Sequence, residues 1–185
     1  MNKVFIGGSR KISRINRKIR QYLDQLIRDE CYILIGDANG VDKSIQLYFK
    51  NRNYNNIEVF CMDDNCRNNI GDWTVRHIYT KIRKKNLDYY SVKDEKMAEE
   101  ASTGLMVWDG KSFGTVANIF RLIKQNKRVD TYIVQNKEFL TLNSTDDLNK
   151  LLSECTGELR ERISNYFKEN NNITMKQGNL FEISF

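Results

Sequence analysis

Short apolar runs and longer stretches of helically spaced apolar residues alternate along the chain. The short runs predict five strands, at Val4–Ile6, Cys31–Ile35, Ile57–Met62, Leu105–Trp108 and Val129–Val134. Apolar residues at helical spacing follow most of these runs and predict helices around 12–27, 45–49, 116–123 and 145–155. Alternating strands and helices place helices on both faces of a parallel sheet, so the pattern predicts a three-layer α/β fold with a mostly parallel central sheet.

The segment from 73 to 92 is less regular. A helix is predicted at its start from four apolar residues, Trp73, Val75, Ile78 and Ile82. That helix would carry Trp73 and His77 on one face, although a lone histidine is more often packed or exposed than catalytic. Residues 87–92 predict a strand or an extended segment, and a short helix should begin at Lys93.

The pattern weakens after Gly157. Apolar residues at helical spacing predict one more short helix, carrying Leu159, Ile163 and Phe167. An Asn-rich loop is expected at 169–173 and a terminal strand or docking tail at 180–185. No linker is long enough to divide the chain, so we expect one domain at 1–155, with 156–185 as a C-terminal helix and tail packed on it.

Three of the predicted strands lead into glycine-bearing loops, at 7–10, 36–43 and 109–114, and each loop leads to a helix. A helix N-terminus presents backbone N–H groups and a favourable dipole to an anion. In a parallel sheet these loops share the edge at the carboxyl ends of the strands, where ligands bind. We therefore expect a cleft for a phosphate-bearing small molecule, lined by Gly7, Gly8, Ser9, Arg10, Gly36, Asp37, Gly40, Asp42, Lys43, Trp108, Asp109, Gly110, Lys111, Ser112, Gly114, Thr115 and Asn118.

Some of these residues have more specific expected roles. Ser9 is a natural helix N-cap, and Arg10 could reach a phosphate. Asp42 either caps its helix or accepts a hydrogen bond from a ribose hydroxyl, and the sequence leaves both readings open. The pattern GxxxxGK[ST] is absent, which argues against a standard ATPase or GTPase.

Composition bears on whether the protein binds nucleic acid, a metal ion or a membrane. The chain has 185 residues and a formal net charge of +6, with its basic residues scattered along helices rather than grouped. A nucleic-acid partner is therefore possible but not favoured. The four cysteines form no CxxC pair and there is a single histidine, so we expect reduced thiols and no metal site. No charged leader and no apolar run of membrane-spanning length is present, so a soluble, cytoplasmic protein without a membrane partner is expected.

The three loops together resemble the SLOG superfamily. The resemblance rests on residues 7–10, on Gly36-Asp37-Ala38 with Val41-Asp42-Lys43, and on 108–115, and it spans about residues 3–136. That group includes the lonely-guy phosphoribohydrolases, DNA-processing protein A and small proteins with a Gly-Ser-Arg start. It implies a Rossmann-like sheet, a nucleotide-binding domain at 1–155 and a homodimer or higher homo-oligomer.

The lonely-guy enzymes cleave the base from a nucleoside monophosphate with a catalytic Arg and a catalytic Glu. By this resemblance Lys93 takes the place of the Arg, and Asn118 stands where the Glu would be. A carboxylate can stabilise the positive sugar or activate water in such a reaction, whereas an amide can do neither well. A hydrolase would therefore need its carboxylate from Asp37, Asp42 or Asp109, and the catalytic candidates are Asp109, Asp37 and Lys93.

Three functions follow from these observations. The first is a sensor or carrier that binds a nucleotide or nucleotide-derived molecule and needs no cofactor. The second is a hydrolase acting on an N-glycosidic bond in a nucleotide. The third is a protein that handles nucleic acid through its basic surface.

Overall fold

The computed structural model describes residues 1–153, 155 and 157–171, with side chains as far as residue 166. Its strands are β1 (Lys3–Gly8), β2 (Tyr32–Gly36), β3 (Ile57–Met62), β4 (Thr74–Ile78), β5 (Thr103–Trp108), β6 (Val129–Ile133) and β7 (Glu138–Leu142). Its helices are α1 (Arg17–Arg28), α2 (Val41–Asn51), α3 (Leu87–Glu100), α4 (Phe113–Lys124), α5 (Thr145–Ser153) and α6 (Gly157–Asn171).

All these strands form one sheet in the order β4-β3-β2-β1-β5-β6-β7. Neighbouring strands are parallel except for β7, which runs antiparallel to β6. This confirms the α/β fold, a Rossmann-like three-layer sandwich with a mostly parallel central sheet. The chain extends from β1 to one side through β2 and then returns to β5 on the other side. The switch point, where such folds bind ligands, therefore lies between β1 and β5.

Two apolar clusters fill the spaces above and below the sheet. Because strand side chains alternate between faces, Phe5 packs with α3, α4, α5 and α6, whereas Ile6 packs with α1 and α2. The central strands are buried on both faces, as expected for a parallel sheet.

The segment after Trp73 is a strand, so the predicted helix there is wrong. β4 pairs in parallel with β3 at the edge of the sheet, and Arg76 forms an ion pair with Glu58 across the two strands at 2.9 Å. Trp73 lies just before the strand, and its indole N–H donates to the Tyr54 carbonyl at 2.9 Å. His77 is exposed on β4, so it shares no helical face with Trp73.

The strand predicted at 87–92 is also wrong, because these residues form the first part of α3. The Asn86 side chain caps this helix by accepting from the backbone N–H of Tyr89 at 3.2 Å. The helix therefore begins six residues before Lys93, at Leu87. Its buried face includes the polar side chains of Ser91 and Lys93, which interrupt the apolar periodicity.

Helix α1 starts later than its apolar pattern suggested. Its N-cap is Asn16, whose side chain accepts from the Ile19 backbone N–H at 3.1 Å. Ile12 and Ile15 precede the helix, and Ser9 does not cap it. The helix at 145–155 is confirmed as α5, whereas β7 was not predicted.

The predicted C-terminal helix is confirmed as α6, which packs on the same face of the sheet as α4 through Leu159 and Ile163. It extends through 169–171, so the loop predicted there is wrong for those residues. The rest of that loop and the tail at 180–185 lie outside the described residues. The division into residues 1–155 and 156–185 stays a prediction.

Cys61 and Cys66 form a disulfide, so the expectation of four reduced thiols is wrong for this pair. Cys31 and Cys155 are not part of this disulfide. Within the described part of the chain, no helix combines the length and apolar character that crossing a bilayer requires.

Candidate functional site

A cavity of about 520 Å³ opens at the carboxyl ends of β1 and β5, at the switch point of the sheet. The loops after these strands, the start of α2 and one side of α3 and α4 surround it. Thirteen residues predicted from the sequence line it: Gly7, Gly8, Ser9, Arg10, Gly36, Asp42, Lys93, Asp109, Lys111, Ser112, Gly114, Thr115 and Asn118. Five predicted residues do not: Asp37, Gly40, Lys43, Trp108 and Gly110.

The loops after β1 and β5 are joined by one short hydrogen bond. The Ser9 hydroxyl donates to Asp109 Oδ2 at 2.6 Å. The other oxygen of Asp109 accepts from the backbone N–H groups of Lys111 at 3.1 Å and Ser112 at 2.7 Å. Desolvation raises the pKa of Asp109, but these three hydrogen bonds outweigh it and the net pKa is lowered. Asp109 is therefore an ionised carboxylate that shapes the loop.

The N-terminus of α4 faces the cavity without an internal cap. The Ser112 side chain makes no capping hydrogen bond to this helix, and the first turn carries no acidic residue. Gly114 leaves open space, because a Cβ built there would meet no atom within 4 Å. The first turn of α4 is thus open to an anion.

The mouth of the cavity carries five basic residues, which we call the basic rim: Arg10, Lys11, Lys85, Lys111 and Arg162. Among the described residues, none of these five forms an ion pair. The guanidinium of Arg10 lies 4.9 Å from the centre of the Tyr90 ring, and that of Arg67 lies 4.8 Å from the same ring. The rim therefore concentrates positive charge that no ion pair between described residues neutralises.

Three further charged side chains line a more buried part of the cavity wall, and we call Asp42, Lys93 and Asp94 the charged floor. Lys93 Nζ lies 2.8 Å from Asp94 Oδ1. A Cβ on Gly36 would lie 2.6 Å from Asp42 Oδ2 and 2.8 Å from Lys93 Nζ. The absence of a side chain at Gly36 therefore makes room for this buried carboxylate and ammonium.

The pKa values of the floor follow from burial and mutual charge. Desolvation raises the pKa of Asp42 to about 7, against the attraction of Lys93. Desolvation lowers the pKa of Lys93, but Asp94, Asp42 and Asp37 together raise it above its ordinary value. Asp42 can therefore exchange a proton near neutral pH while Lys93 stays charged.

Asn118 connects the floor to α4. Its amide N–H donates to Asp94 Oδ2 at 3.2 Å, and its amide oxygen accepts from Arg121 Nη1 at 2.8 Å. The amide thus lies beside a carboxylate contributed by α3.

Asp37 is buried next to the cavity but is fully engaged elsewhere. Its oxygens accept from Arg67 Nε at 2.9 Å, Arg67 Nη2 at 2.6 Å and the Arg67 backbone N–H at 3.1 Å. Desolvation raises its pKa, but the hydrogen bonds from Arg67 and the charge of Lys93 outweigh this and the net pKa is lowered. Asp37 holds the loop after β3 against the sheet.

The other four predicted residues that do not line the cavity are Gly40, Lys43, Trp108 and Gly110. Gly40 and Gly110 have φ angles of +84° and +72°, which L side chains rarely adopt. Trp108 is buried, and its indole N–H donates to the Ser112 carbonyl at 3.2 Å. Lys43 is exposed on α2.

Asp42 neither caps α2 nor stands free. The N-cap position is Gly40, and Asp42 lies in the first turn, where it accepts from the Ala38 backbone N–H at 3.2 Å. The capping interpretation of Asp42 is therefore wrong, and the interpretation as a ligand acceptor remains a prediction.

The ligand atoms of Asp37, Cys61 and Cys66 lie within 4.8 Å of one another, a spacing that could hold a metal ion. In this structure the two sulfur atoms are bonded to each other, and Asp37 is paired with Arg67. In this arrangement neither the two sulfur atoms nor the Asp37 carboxylate is available as a metal ligand.

Sequence reasoning missed a set of lining residues: Lys11, Lys85, Asn86, Leu87, Tyr90, Asp94, Phe113 and Arg162. Five of these eight belong to α3 or to the two residues just before it, and a strand was predicted at 87–92. Asn86 followed by Asp88 is a helix-start signal that could have found the helix. Arg162 comes from α6, whose position over the cavity has no local signal.

No protein-family model and no curated protein matches the chain. A solved structure of DNA processing protein A from Helicobacter pylori, described for its single-stranded DNA binding mode, is similar with a TM-score of 0.54 and 18% sequence identity. The match covers 91% of this chain and 81% of that one. The similarity shows a shared fold.

Proposed function

We propose that the cavity binds a nucleotide or nucleotide-derived small molecule and that the protein acts as its sensor or carrier. One observation carries this proposal: an unpaired basic rim and a charged floor face the same cavity. A phosphate fits the rim and the open end of α4, because positive charge and free N–H groups converge there. A sugar hydroxyl fits the floor, because carboxylates accept hydrogen bonds from hydroxyl groups.

The test is a calorimetric titration with nucleoside mono-, di- and triphosphates, ADP-ribose, cyclic nucleotides and NAD, followed by recovery and identification of each ligand. A Cβ at Gly114 meets no atom within 4 Å, so Gly114→Leu should place a side chain in the cavity and abolish binding while the protein stays folded. Gly157→Leu is the matched control, because that glycine also begins a helix and has open space but does not line the cavity. Absence of binding by every compound contradicts the proposal.

A second candidate function is hydrolysis of an N-glycosidic bond in the bound nucleotide. The supporting observation is Asp42, a buried carboxyl group on the cavity wall whose pKa is raised to about 7. Such a group can accept a proton from water as the water attacks the sugar and the base departs. Release of a free base that stops in Asp42→Asn would support it, and recovery of intact ligand would exclude it. The roles of Asp109, Asp37 and Lys93 as catalytic residues stay predictions.

A third candidate is binding of single-stranded DNA, suggested by the similar DNA processing protein A. The supporting feature here is the basic rim with the Tyr90 ring between two guanidinium groups, since strands bind through positive grooves and aromatic faces. Such binding should weaken steeply with salt and survive Gly114→Leu. A small-molecule site should lose its ligand in Gly114→Leu and should depend less steeply on salt.

Assembly into a homodimer or higher oligomer and a cytoplasmic location stay predictions. Sedimentation of the purified protein tests the first.

A further inference from the structure

A second cavity of about 410 Å³ adjoins the main one under α6. We call it the annex and define it by Leu87, Phe113, Glu158, Glu161, Arg162 and Tyr166. Three of its residues, Leu87, Phe113 and Arg162, also line the main cavity. One ligand can therefore extend from the main cavity into the annex.

Two aromatic rings and one guanidinium group line the annex. The Phe113 and Tyr166 rings meet edge to face, with centroids 4.9 Å apart and planes at 82°. The Arg162 guanidinium lies 5.1 Å from the centre of the Phe113 ring. The Tyr166 hydroxyl accepts from Arg121 Nη2 at 2.8 Å, so this ring is held in place before any ligand arrives. Aromatic faces and arginine planes are the groups on which nucleobases stack.

Two glutamates and one arginine line the annex, so it is less favourable for a phosphate than the basic rim. Glu158 and Glu161 both line the annex, whereas no acidic residue lies in the first turn of α4. Like charges repel an anionic group from the glutamates, and their oxygens can accept hydrogen bonds from ring or amino N–H groups. The two ends of the combined space thus favour opposite ends of one ligand.

We infer that the annex holds the planar base of a nucleotide whose phosphate lies at the basic rim. This inference rests on the proposed function and deepens it, because it assigns base recognition to α6 and Phe113. The ligand is then a nucleotide with its base in place, rather than a sugar phosphate.

The test compares the dissociation constants of AMP, GMP, CMP and UMP with that of ribose 5-phosphate. At least one nucleotide should bind about tenfold or more tightly than ribose 5-phosphate, because stacking of a base typically contributes on that scale. Phe113→Leu should reduce this ratio to near unity, because the loss of affinity for the nucleotide should be larger than any loss for ribose 5-phosphate. Phe139→Leu is its control, since Phe139 also packs against aromatic rings but borders neither cavity.

If Phe113→Leu does not fold, Arg162→Gln tests the annex in its place, because Arg162 also lines it. Arg162 also belongs to the basic rim, so both affinities should fall, but the ratio should fall as well. Arg160→Gln, on the same helix and outside both cavities, should preserve the ratio. Equal binding of ribose 5-phosphate and every nucleotide overturns the annex inference and leaves a phosphate site in the main cavity. A ratio unchanged in both annex variants also overturns it, and no binding of any compound overturns the proposed function together with it.

Discussion

Lys93 Nζ lies 2.8 Å from Asp94 Oδ1, and this ammonium group is almost completely removed from solvent. The lysine also lies close to Asp42, which is buried beside it over Gly36. Charges in such a place are stable only because they compensate each other. The floor of the cavity is therefore a single electrostatic unit contributed by α2 and α3.

Lys93→Met should strongly destabilise the protein. The methionine fills similar space, but it leaves Asp42 and Asp94 without their buried counter-charge. Breaking one side of a buried ion pair costs about 3–5 kcal/mol in free energy of unfolding. Urea denaturation measures this change. Lys96→Met, an exposed lysine on the same helix, should change it by no more than about 1 kcal/mol, and equal effects of the two substitutions would contradict the role of the floor.

Asp42 should make stability fall as pH rises towards neutral. Its pKa is about 7 in the folded protein and 3.8 ordinarily, so between these values the native state holds a proton that the unfolded chain has released. The contribution of this group to the free energy of unfolding therefore decreases from about pH 4 to about pH 7 and is level above that.

The measurement compares the wild type with Asp42→Asn in urea at about pH 5 and about pH 8. The wild type should lose roughly 2–4 kcal/mol relative to the variant over that interval. Groups with lowered pKa values, such as Asp37 and Asp109, are common to both proteins and cancel in the difference. Parallel pH profiles would show that Asp42 titrates at its ordinary pKa.

Lys111→Ala should weaken binding of a phosphate-bearing ligand by about tenfold, the scale of one charge-assisted hydrogen bond. Lys43→Ala should have little effect, although both lysines follow glycine-bearing loops, because only Lys111 lines the cavity. Titration calorimetry at low salt distinguishes the two. Equal losses in both variants would place the phosphate elsewhere on the same edge of the sheet.

The Cys61–Cys66 disulfide predicts how many thiols react with an alkylating reagent. Of the four cysteines, two are paired, so two thiols should react with an alkylating reagent in unfolded, unreduced protein and four after reduction. Cys66→Ser should give the same number of reactive thiols with and without reductant. Mass spectrometry of the alkylated chain gives the count, and full alkylation of the unreduced wild type would contradict the Cys61–Cys66 pair.

Most of the fold could be predicted because its central strands are continuous apolar runs, and two of them, β1 and β2, end in glycine. The edge strand β4 could not be predicted, because Thr74–Ile78 is only partly buried and its apolar positions also fit a helix. Helix α3 was mistaken for a strand because Ser91 and Lys93 occupy its buried face, where periodicity expects apolar residues. The error at α3 comes partly from a polar side chain whose partner lies far away in sequence, since Ser91 accepts from Arg121.

The candidate site was predicted best where local sequence determines it. The glycine loops and the start of α4 could be recognised from their own residues. The pairing of Asp37 could not be predicted, because its partner Arg67 belongs to an irregular loop 30 positions away. Arg162 could not either, because its place at the rim depends on how α6 packs against α4.

The hydrogen bond from Ser9 to Asp109 joins residues 100 positions apart, and β1 must pair with β5 before it can form. Such distant contacts form only after the intervening chain has been ordered, at a cost in loop entropy. No chain that ends before β5 can therefore contain the cavity. A ligand added during refolding should leave the early folding steps unchanged and slow only unfolding of the finished protein, so its binding would mark the completion of folding.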